Sequence, residues 1–346
     1  MKFLIVKTSS LGDIVQTYPV INYLKTFYPE CVIDWVVESS CALLVLKNPN
    51  VRRTIEVRTR DWRRKIFSTP TWNEIGAVKR QLQEESYDVI FDLQGNLKSG
   101  LITFLANGKR KVGFGYQTVS ELPNLLATNV RFNPPLGKNI REDLLYPVQS
   151  YFYDTSLFID RGTPLELNEP EKEQVLQLLD GKNPLSKKLL LVCPGSLWKN
   201  KRLPCETLQK VLNDCSQDYF FLFCWGNEQE KTTAERLRAN FNTKSLIVPK
   251  LPLHQLQFLM SHVDGVFAMD SLPLHLAASV GAKTLSVFGP SSMKKYAPLG
   301  ERHSSFQGTC PFGVAFEKRC PKLRRCTSGA CLRTLSPSDV RKGLSL

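Results

Sequence analysis

Short apolar runs alternate with amphipathic stretches along nearly the whole chain. In the first half, β-prone runs fall near residues 2–7, 31–37, 53–57, 87–92 and 111–114, and helical periodicity falls near 13–28, 73–85 and 97–106. In the second half, runs near 188–193, 219–224, 245–248, 264–268 and 284–288 alternate with helices near 204–215, 228–240, 252–262 and 272–280. This alternation is typical of parallel sheets covered by helices on both faces. The pattern therefore predicts an α/β protein.

The alternation occurs in two series, with a change of composition between them. A helical segment near 143–158 leads into the polar stretch 160–164, and another helical segment follows near 170–180. A chain of 346 residues suits two domains, because a domain typically has roughly 150 residues. We predict two Rossmann-like domains, 1–170 and 171–346, facing a central cleft, a natural place for a site that holds two substrates.

The loop after the first predicted strand carries a candidate catalytic carboxylate. It reads Lys7-Thr8-Ser9-Ser10-Leu11-Gly12-Asp13. Gly12 permits a tight turn, and Asp13 opens the next helix, near the carboxyl edge of the sheet where α/β proteins bind ligands. Asp residues also commonly cap helices. These residues alone leave both interpretations of Asp13 open.

The second half contains a candidate phosphate site. A strand ending at Met269 runs into Asp270-Ser271-Leu272-Pro273-Leu274-His275. Pro273 suits a first helical turn, Ser271 suits the cap, and the free amides of a helix start favour an anion. His275 lies about one turn further on, where it can donate to a phosphate oxygen. The alternative is a capped helix with an ordinary histidine.

Three more loops are predicted to reach the same sheet edge. Ser196 follows one strand and precedes Lys201, whose ammonium would neutralise a pyrophosphate. Glu230 follows the next strand and offers a carboxylate to a ribose, and Leu251 follows the third and offers an apolar wall to a base. Together these loops fit a nucleotide-diphosphate site better than independent solvated loops.

Net charge is +14, which calls for an acidic partner. One run is strongly basic and contains Trp62: Arg52, Arg53, Arg58, Arg60, Arg63, Arg64 and Lys65. The sequence carries no signature of a nucleic-acid-binding module, so we expect an anionic small ligand at a membrane surface and no nucleic acid. A solvated basic loop is the alternative.

Several classes of protein lack support in the sequence. No apolar run approaches the roughly 20 residues of a transmembrane helix, and no h-region follows Met1, so we expect a cytoplasmic protein without a secretory signal. The motifs G-x-G-x-x-G, G-x-S-x-G and H-E-x-x-H, a Walker loop and a metal-chelating Asp-x-Asp are all absent. We therefore expect no cofactor and no metal in the reaction.

Ten cysteines are present, and the last four form a cluster. Cys310, Cys320, Cys326 and Cys331 are spaced C-x9-C-x5-C-x4-C, without the paired C-x2-C knuckles common in structural zinc sites. Two interpretations remain, a zinc site and reduced thiols in a basic tail. The spacing favours reduced thiols.

The chain resembles the bacterial ADP-heptose:lipopolysaccharide heptosyltransferases from Met1 to about Leu335, and among them it is most like heptosyltransferase I. The motifs that carry the resemblance are Lys7-Thr8-Ser9 with Gly12-Asp13, Trp35-Val36-Val37-Glu38, Asp92-Leu93-Gln94-Gly95-Asn96-Leu97-Lys98-Ser99, Lys201-Arg202-Leu203-Pro204, the segment from Asp270 to Ala278, and Phe288-Gly289-Pro290. The resemblance implies a GT-B fold and inverting transfer of L-glycero-D-manno-heptose from ADP-heptose to a 3-deoxy-manno-octulosonic acid (Kdo) residue on lipid A. From the basic run we also expect the enzyme to lie peripherally on the inner face of the inner membrane.

The resemblance also implies roles for particular residues. Asp13 would be the general base, and Lys201 would stabilise the leaving ADP. The remaining donor-binding residues would be Thr8, Ser9, Gly12, Ser196, Glu230, Leu251, Asp270, Ser271, Leu272 and His275. Acceptor carboxylates and phosphates would meet Arg60, Arg63, Arg64, Gln94, Lys98 and Arg141.

The sequence departs from the family pattern at several positions, so other functions remain as alternatives. Leu272 stands where the family usually has Gly, and Val119 follows Gln117-Thr118 where an arginine is expected. The cysteine-rich tail resembles other heptosyltransferase subgroups, so a second-heptose transferase with a heptosyl acceptor is the first alternative. A nucleotide-sugar epimerase of similar architecture and a basic RNA-binding protein are the others.

Overall fold

A computed structural model describes residues 1–181, 183 and 187–344, with only the backbone described at 324, 343 and 344. The contacts within the chain divide it into two units, Met1–Glu166 and Leu167–Leu346. The division falls four residues before the predicted limit of the first domain at residue 170. Each unit has its own sheet and its own hydrophobic core.

The first unit is built on a six-stranded sheet in the order β3-β2-β1-β4-β5-β6, in which every neighbouring pair is parallel. Its strands are β1 (Lys2–Val6), β2 (Val32–Glu38), β3 (Arg53–Val57), β4 (Tyr87–Asp92), β5 (Gly108–Phe114) and β6 (Val130–Phe132). Residues 3–6 of β1 are completely buried, as the apolar run predicts for a central parallel strand. The strand order reverses between β1 and β4, and such a switch point is where open α/β sheets bind ligands.

Seven helices cover this sheet. They are α1 (Leu11–Val15), α2 (Tyr18–Phe27), α3 (Ala42–Leu46), α4 (Thr59–Arg64), α5 (Thr69–Glu84), α6 (Leu97–Leu105) and α7 (Ile140–Tyr151), with 3-10 turns at Ser39–Cys41 and Leu122–Ala127. The helix predicted over 13–28 is therefore two helices. Pro19 lies in the first turn of α2, where its missing N–H costs no hydrogen bond.

The second unit repeats the same parallel order, β12-β11-β10-β7-β8-β9, with its switch point between β7 and β10. Its strands are β7 (Lys188–Cys193), β8 (Tyr219–Phe223), β9 (Ser245–Ile247), β10 (Gly265–Met269), β11 (Thr284–Phe288) and β12 (His303–Gln307). Its helices are α8 (Glu169–Gln177), α9 (Cys205–Cys215), α10 (Glu228–Phe241), α11 (Leu253–Met260), α12 (Leu272–Ala278), α13 (Met293–Tyr296), α14 (Ala330–Arg333) and α15 (Pro337–Leu344), with 3-10 turns at Lys199–Lys201, Asn242–Lys244 and Leu323–Arg325.

The predicted fold class, α/β with two Rossmann-like parallel sheets, is confirmed. The pattern missed the edge strands β6 and β12, which are short or polar: β6 has three residues, and every residue of β12 is only partly buried. Neither strand produces the apolar run that marks a central strand.

No helix in the described part of the chain is long and apolar enough to cross a membrane.

A buried carboxylate fixes the outer strands of the first sheet. Asp34 on β2 is fully buried and accepts from Arg52 (Nη2 at 2.7 Å), from Arg53 (Nε at 3.1 Å) and from the Tyr87 hydroxyl at 2.7 Å. The first two arginines of the basic run, Arg52 and Arg53, thus pair with a buried carboxylate of the fold.

Candidate active site

Asp13 is the third residue of α1 and is half-buried. Its Oδ2 accepts the backbone N–H of Ser10 at 2.8 Å and the Ser10 hydroxyl at 2.7 Å. Asp13 therefore takes part in a capping box with Ser10 at the start of α1. Both of these bonds fall on one carboxylate oxygen, Oδ2.

Gln94 holds the loop that carries Asp13. Its Oε1 accepts the backbone N–H of Thr8 at 3.2 Å and that of Ser9 at 3.3 Å. Two donors at one end of a carboxamide identify that end as the oxygen, so the other end is the Nε2 donor. Gln94, predicted only to contact the acceptor, thus also holds the loop of Thr8 and Ser9. Its Nε2 has no partner among the described residues.

Asp92, at the end of β4, orders the segment that contains Gln94. It is completely buried, and Oδ1 accepts the backbone N–H groups of Gln94 at 3.0 Å and Gly95 at 2.9 Å. Oδ2 accepts from the hydroxyls of Ser99 at 2.9 Å and Thr103 at 3.2 Å, and from Nδ2 of Asn124 at 2.6 Å. Burial raises the pKa of Asp92, whereas its hydrogen-bond donors act to lower it.

Three of the four predicted acceptor arginines form one exposed cationic surface. Arg60, Arg63 and Arg64 lie exposed on the short helix α4. Lys98, at the start of α6, donates to Oγ1 of Thr59 at 3.3 Å, which brings its ammonium beside this helix.

Arg141 lies elsewhere, on α7, and is half-buried. Burial lowers its pKa to about 10, although the charge of Asp160 opposes the shift. At this value Arg141 still carries a full positive charge at neutral pH.

In the second unit, the predicted catalytic lysine meets the predicted donor-site carboxylate. Lys201 Nζ lies 2.6 Å from Asp270 Oδ2, with side-chain exposures of 14% and 7%. On the other side, His275 Nε2 lies 4.0 Å from Asp270 Oδ1. Lys201 and Asp270, more than 60 positions apart along the chain, thus form one shielded cluster with His275. All three residues were predicted to lie at the diphosphate of the donor.

Ser271 differs from its prediction. It occupies the N-cap position of α12, but its side chain does not cap the helix. Its hydroxyl donates instead to the carbonyl of Gly195 at 3.2 Å or to that of Met269 at 3.3 Å. Leu272, at the first helical position, is half-buried.

Glu230 lies against the loop after β7. Its Oε2 accepts the N–H of Gly226 at 2.9 Å, and a Cβ at Gly195 would lie 2.6 Å from the same oxygen. Gly195 therefore leaves the space that this carboxylate occupies. Neighbouring Ser196 is buried, and its carbonyl accepts from Arg202 Nε at 2.6 Å.

Leu251 follows β9 and is half-buried. The loops after β8 and β9 are joined by a hydrogen bond from Trp225 Nε1 to the carbonyl of Val248 at 2.9 Å. This bond brings the loops of Glu230 and Leu251 together.

The four clustered cysteines line one cavity of about 50 Å³, with Phe312 and Phe316 among its apolar walls. Burial and the neighbouring thiols raise the pKa of Cys331 to about 11. In contrast, a hydrogen bond from Ser328 and the backbone N–H of Gly329 lower the pKa of Cys326. Across residues 1–181, 183 and 187–344, no three His, Cys, Asp or Glu side chains are arranged to hold a metal ion. Every cysteine is a free thiol.

Two Rossmann-like sheets, each with polar side chains gathered at the loops after its strands, define an α/β protein of the class that binds ligands at the carboxyl edge of its sheets. The family model of glycosyltransferase family 9 (heptosyltransferase) matches residues 75–324, and the chain belongs to this family. The predicted class of enzyme is confirmed.

Relatives and solved structures agree with this assignment. Lipopolysaccharide heptosyltransferase 1 of Pseudomonas aeruginosa is 27% identical over 339 residues, covering 92% of this chain and 87% of the relative. The enzyme of the same name from Escherichia coli K12 is 27% identical over 311 residues, covering 84% and 88%. The structure of E. coli heptosyltransferase WaaC with ADP has the same fold, with a TM-score of 0.79, 23% identity and coverage of 100% and 99%.

Proposed function

We propose that this chain transfers L-glycero-D-manno-heptose from ADP-heptose to a Kdo residue of the lipopolysaccharide inner core. The contact of Lys201 with Asp270 beside His275 carries the proposal, because it gathers two groups that can donate to a leaving diphosphate, the Lys201 ammonium and the His275 imidazole, at one shielded place. The names of the relatives from P. aeruginosa and E. coli support a heptose as the sugar and lipopolysaccharide as the acceptor molecule. The WaaC structure with ADP supports the nucleotide.

The donor would be held by the loops of the second unit. Lys201 and His275 are the groups proposed to meet the diphosphate, and Glu230 is proposed to accept from the ribose hydroxyls. Leu251 would pack against the adenine, and Ser196, Ser271 and Leu272 would line the phosphate side. The half-buried Leu272 in place of the family's glycine makes the approach of the phosphate depend on side-chain packing.

Asp13 is proposed as the general base. Its carboxylate takes the proton of the acceptor hydroxyl as that oxygen forms a bond to the anomeric carbon. The bond from that carbon to the diphosphate oxygen breaks with its electron pair, and ADP leaves from the opposite face. This proton transfer is worth ~10²–10⁴ in rate. Thr8, Ser9 and Gly12 form the backbone around this base.

Acceptor binding would use the first unit. Arg60, Arg63, Arg64 and Lys98 offer charge-assisted bonds to carboxylates and phosphates, and Gln94 offers its Nε2. Arg141 is proposed as a more distant cation in the same unit. A lipid-linked acceptor and this cationic surface support a cytoplasmic enzyme that associates peripherally with the inner leaflet of the inner membrane.

The test is ADP release from ADP-heptose with and without Kdo-lipid A. Asp13→Asn is informative because Asn retains an oxygen that can accept from Ser10, so the cap survives while the base is lost. We expect acceptor-dependent release by the wild type and a fall in kcat of about 10²-fold or more in Asp13→Asn.

Ser10→Ala is the matched control, since it removes one capping bond and keeps the carboxylate. Equal losses in both variants would reduce Asp13 to a cap. No release with Kdo-lipid A, but release with a heptosylated acceptor, would assign the second-heptose reaction instead. Turnover of ADP-heptose without any acceptor would indicate the epimerase.

A further inference from the structure

Helix α6 presents an apolar face to solvent. Leu97, Leu101 and Phe104 have exposed fractions of 56%, 58% and 65%. Their spacing of four and three residues places them on one side of the helix. The opposite side is buried through Ile102 and Thr103. A soluble surface does not usually expose three large apolar side chains in register on one short helix.

A neighbouring turn extends this apolar surface. The 3-10 turn Leu122–Ala127 packs along α6, because Asn124 Nδ2 donates to the carbonyl of Asn96 at 3.0 Å and Leu97 N–H donates to Glu121 Oε2 at 2.8 Å. On this turn Leu122 and Leu126 are 54% and 89% exposed. We define the α6 face as Leu97, Leu101, Phe104, Leu122 and Leu126.

Cations border the α6 face at both ends. Lys98 lies at the start of the helix and, through its bond to Thr59, beside the exposed arginines of α4. At the other end, Lys111 Nζ lies 5.7 Å from the centre of the Phe104 ring and donates to the Phe104 carbonyl at 2.8 Å. Lys109 and Arg110 are exposed nearby on β5. Glu121, an acidic residue beside the α6 face, accepts the backbone N–H of Leu97.

We propose that the α6 face inserts into an anionic phospholipid bilayer, with Lys98, Lys111 and the α4 arginines contacting the headgroups. Apolar side chains framed by Lys and Arg are the composition that lies in a membrane interface, and the positive charge selects anionic lipid. The inference builds on the proposed function by naming the surface on which the enzyme meets a lipid-linked acceptor. It also explains why the acceptor cations of α4 adjoin exposed leucines.

The test is cosedimentation with phosphatidylcholine vesicles that contain or lack phosphatidylglycerol. The variant Leu101→Glu/Phe104→Glu removes apolar contact and adds repulsion. The matched control is Leu157→Glu/Ile159→Glu, which changes two side chains of the same unit that are 89% and 74% exposed. We expect about a tenfold or larger loss of binding to anionic vesicles in the face variant and little loss in the control.

Leu126→Glu serves as a second variant, because this side chain is almost fully exposed and its change does not threaten the fold. Equal vesicle binding by wild type and both face variants would overturn the proposal. Binding to pure phosphatidylcholine as strong as to the anionic vesicles would overturn the role of the cations. A wild type that dimerises through this face, and whose face variants are monomeric without loss of vesicle binding, would assign the face to a second copy of the chain.

Activity separates this inference from the proposed function. On a deacylated, water-soluble Kdo acceptor the face variants should match the wild type, whereas on acceptor embedded in anionic vesicles they should lose about tenfold in kcat/KM. A wild type inactive on both acceptors would refute the proposed function and leave vesicle binding as the test of the face. Face variants that lose activity equally on both acceptors would show that the face serves the fold or the site instead of the bilayer.

Discussion

Replacing Gln94 by Met should separate holding of the catalytic loop from binding of the acceptor. Met keeps the length of the side chain but removes Oε1, which accepts the amides of Thr8 and Ser9 at 3.2 and 3.3 Å. Each neutral hydrogen bond contributes about 0.5–1.5 kcal/mol net, and these distances lie at the long end of the range. We expect the free energy of unfolding of the first unit to fall by about 1–2 kcal/mol, a decrease in Tm of about 2–8 °C.

The larger effect should be on catalysis. A displacement of about 1 Å in a group that must meet its substrate can cost about 10²-fold in rate, so kcat should fall by about 10–100-fold. Gln94→Glu is the matched variant, since it keeps an oxygen for both amides but loses the Nε2 donor. It should retain the Tm and most of kcat while raising KM for the acidic acceptor.

The assay is steady-state ADP release over a range of acceptor concentrations, together with thermal unfolding of each variant. A Gln94→Met enzyme with unchanged kcat and only a raised acceptor KM would refute the role in holding the loop. It would leave Gln94 as the simple acceptor contact that the family resemblance implies.

Three other outcomes follow from the same structure. Asp92→Asn replaces an oxygen that accepts hydrogen bonds by an NH2 group that faces other donors, and it should lower the free energy of unfolding by about 1–3 kcal/mol in urea titration. A change below about 0.5 kcal/mol would contradict the hydrogen-bond network. Lys201→Ala removes the ammonium 2.6 Å from Asp270 and should lower kcat by about 10²-fold at saturating acceptor, with Lys201→Arg retaining part of the rate. Iodoacetamide should modify Cys326 before Cys331 at pH 7, and mass spectrometry would map the modified residues. The reagent reacts with the thiolate form of cysteine. The pKa of Cys326 lies below its usual value of 9.0, whereas Cys331 ionises only as the pH approaches about 11. Equal labelling of the two thiols would contradict this order.

The sequence was sufficient for elements whose signal is local. The central strands were predicted because each is an apolar run. The edge strands β6 and β12 were missed because they are short or polar and are fixed by their neighbours in the sheet. Element type therefore followed from periodicity, whereas one edge strand of each sheet depended on tertiary pairing.

The site was predictable as a list of residues but not as a set of contacts. Lys201 and Asp270 were chosen separately, and only the fold brings them to 2.6 Å. Arg52 is no different in sequence from Arg60, yet the first pairs with Asp34 and the second lies exposed on α4. The network around Asp92 was missed because its partner Asn124 is 32 residues away.

The separate cores of the two units predict two unfolding transitions. Each unit, Met1–Glu166 and Leu167–Leu346, closes its own sheet around its own apolar cluster, so we expect that a single melting temperature will not describe the chain. A nucleotide held by the second unit at 100 times its Kd stabilises that unit by about 2.7 kcal/mol and leaves the first where it was. Calorimetry with one ligand at a time would thus report which half of the molecule each substrate occupies, without any turnover.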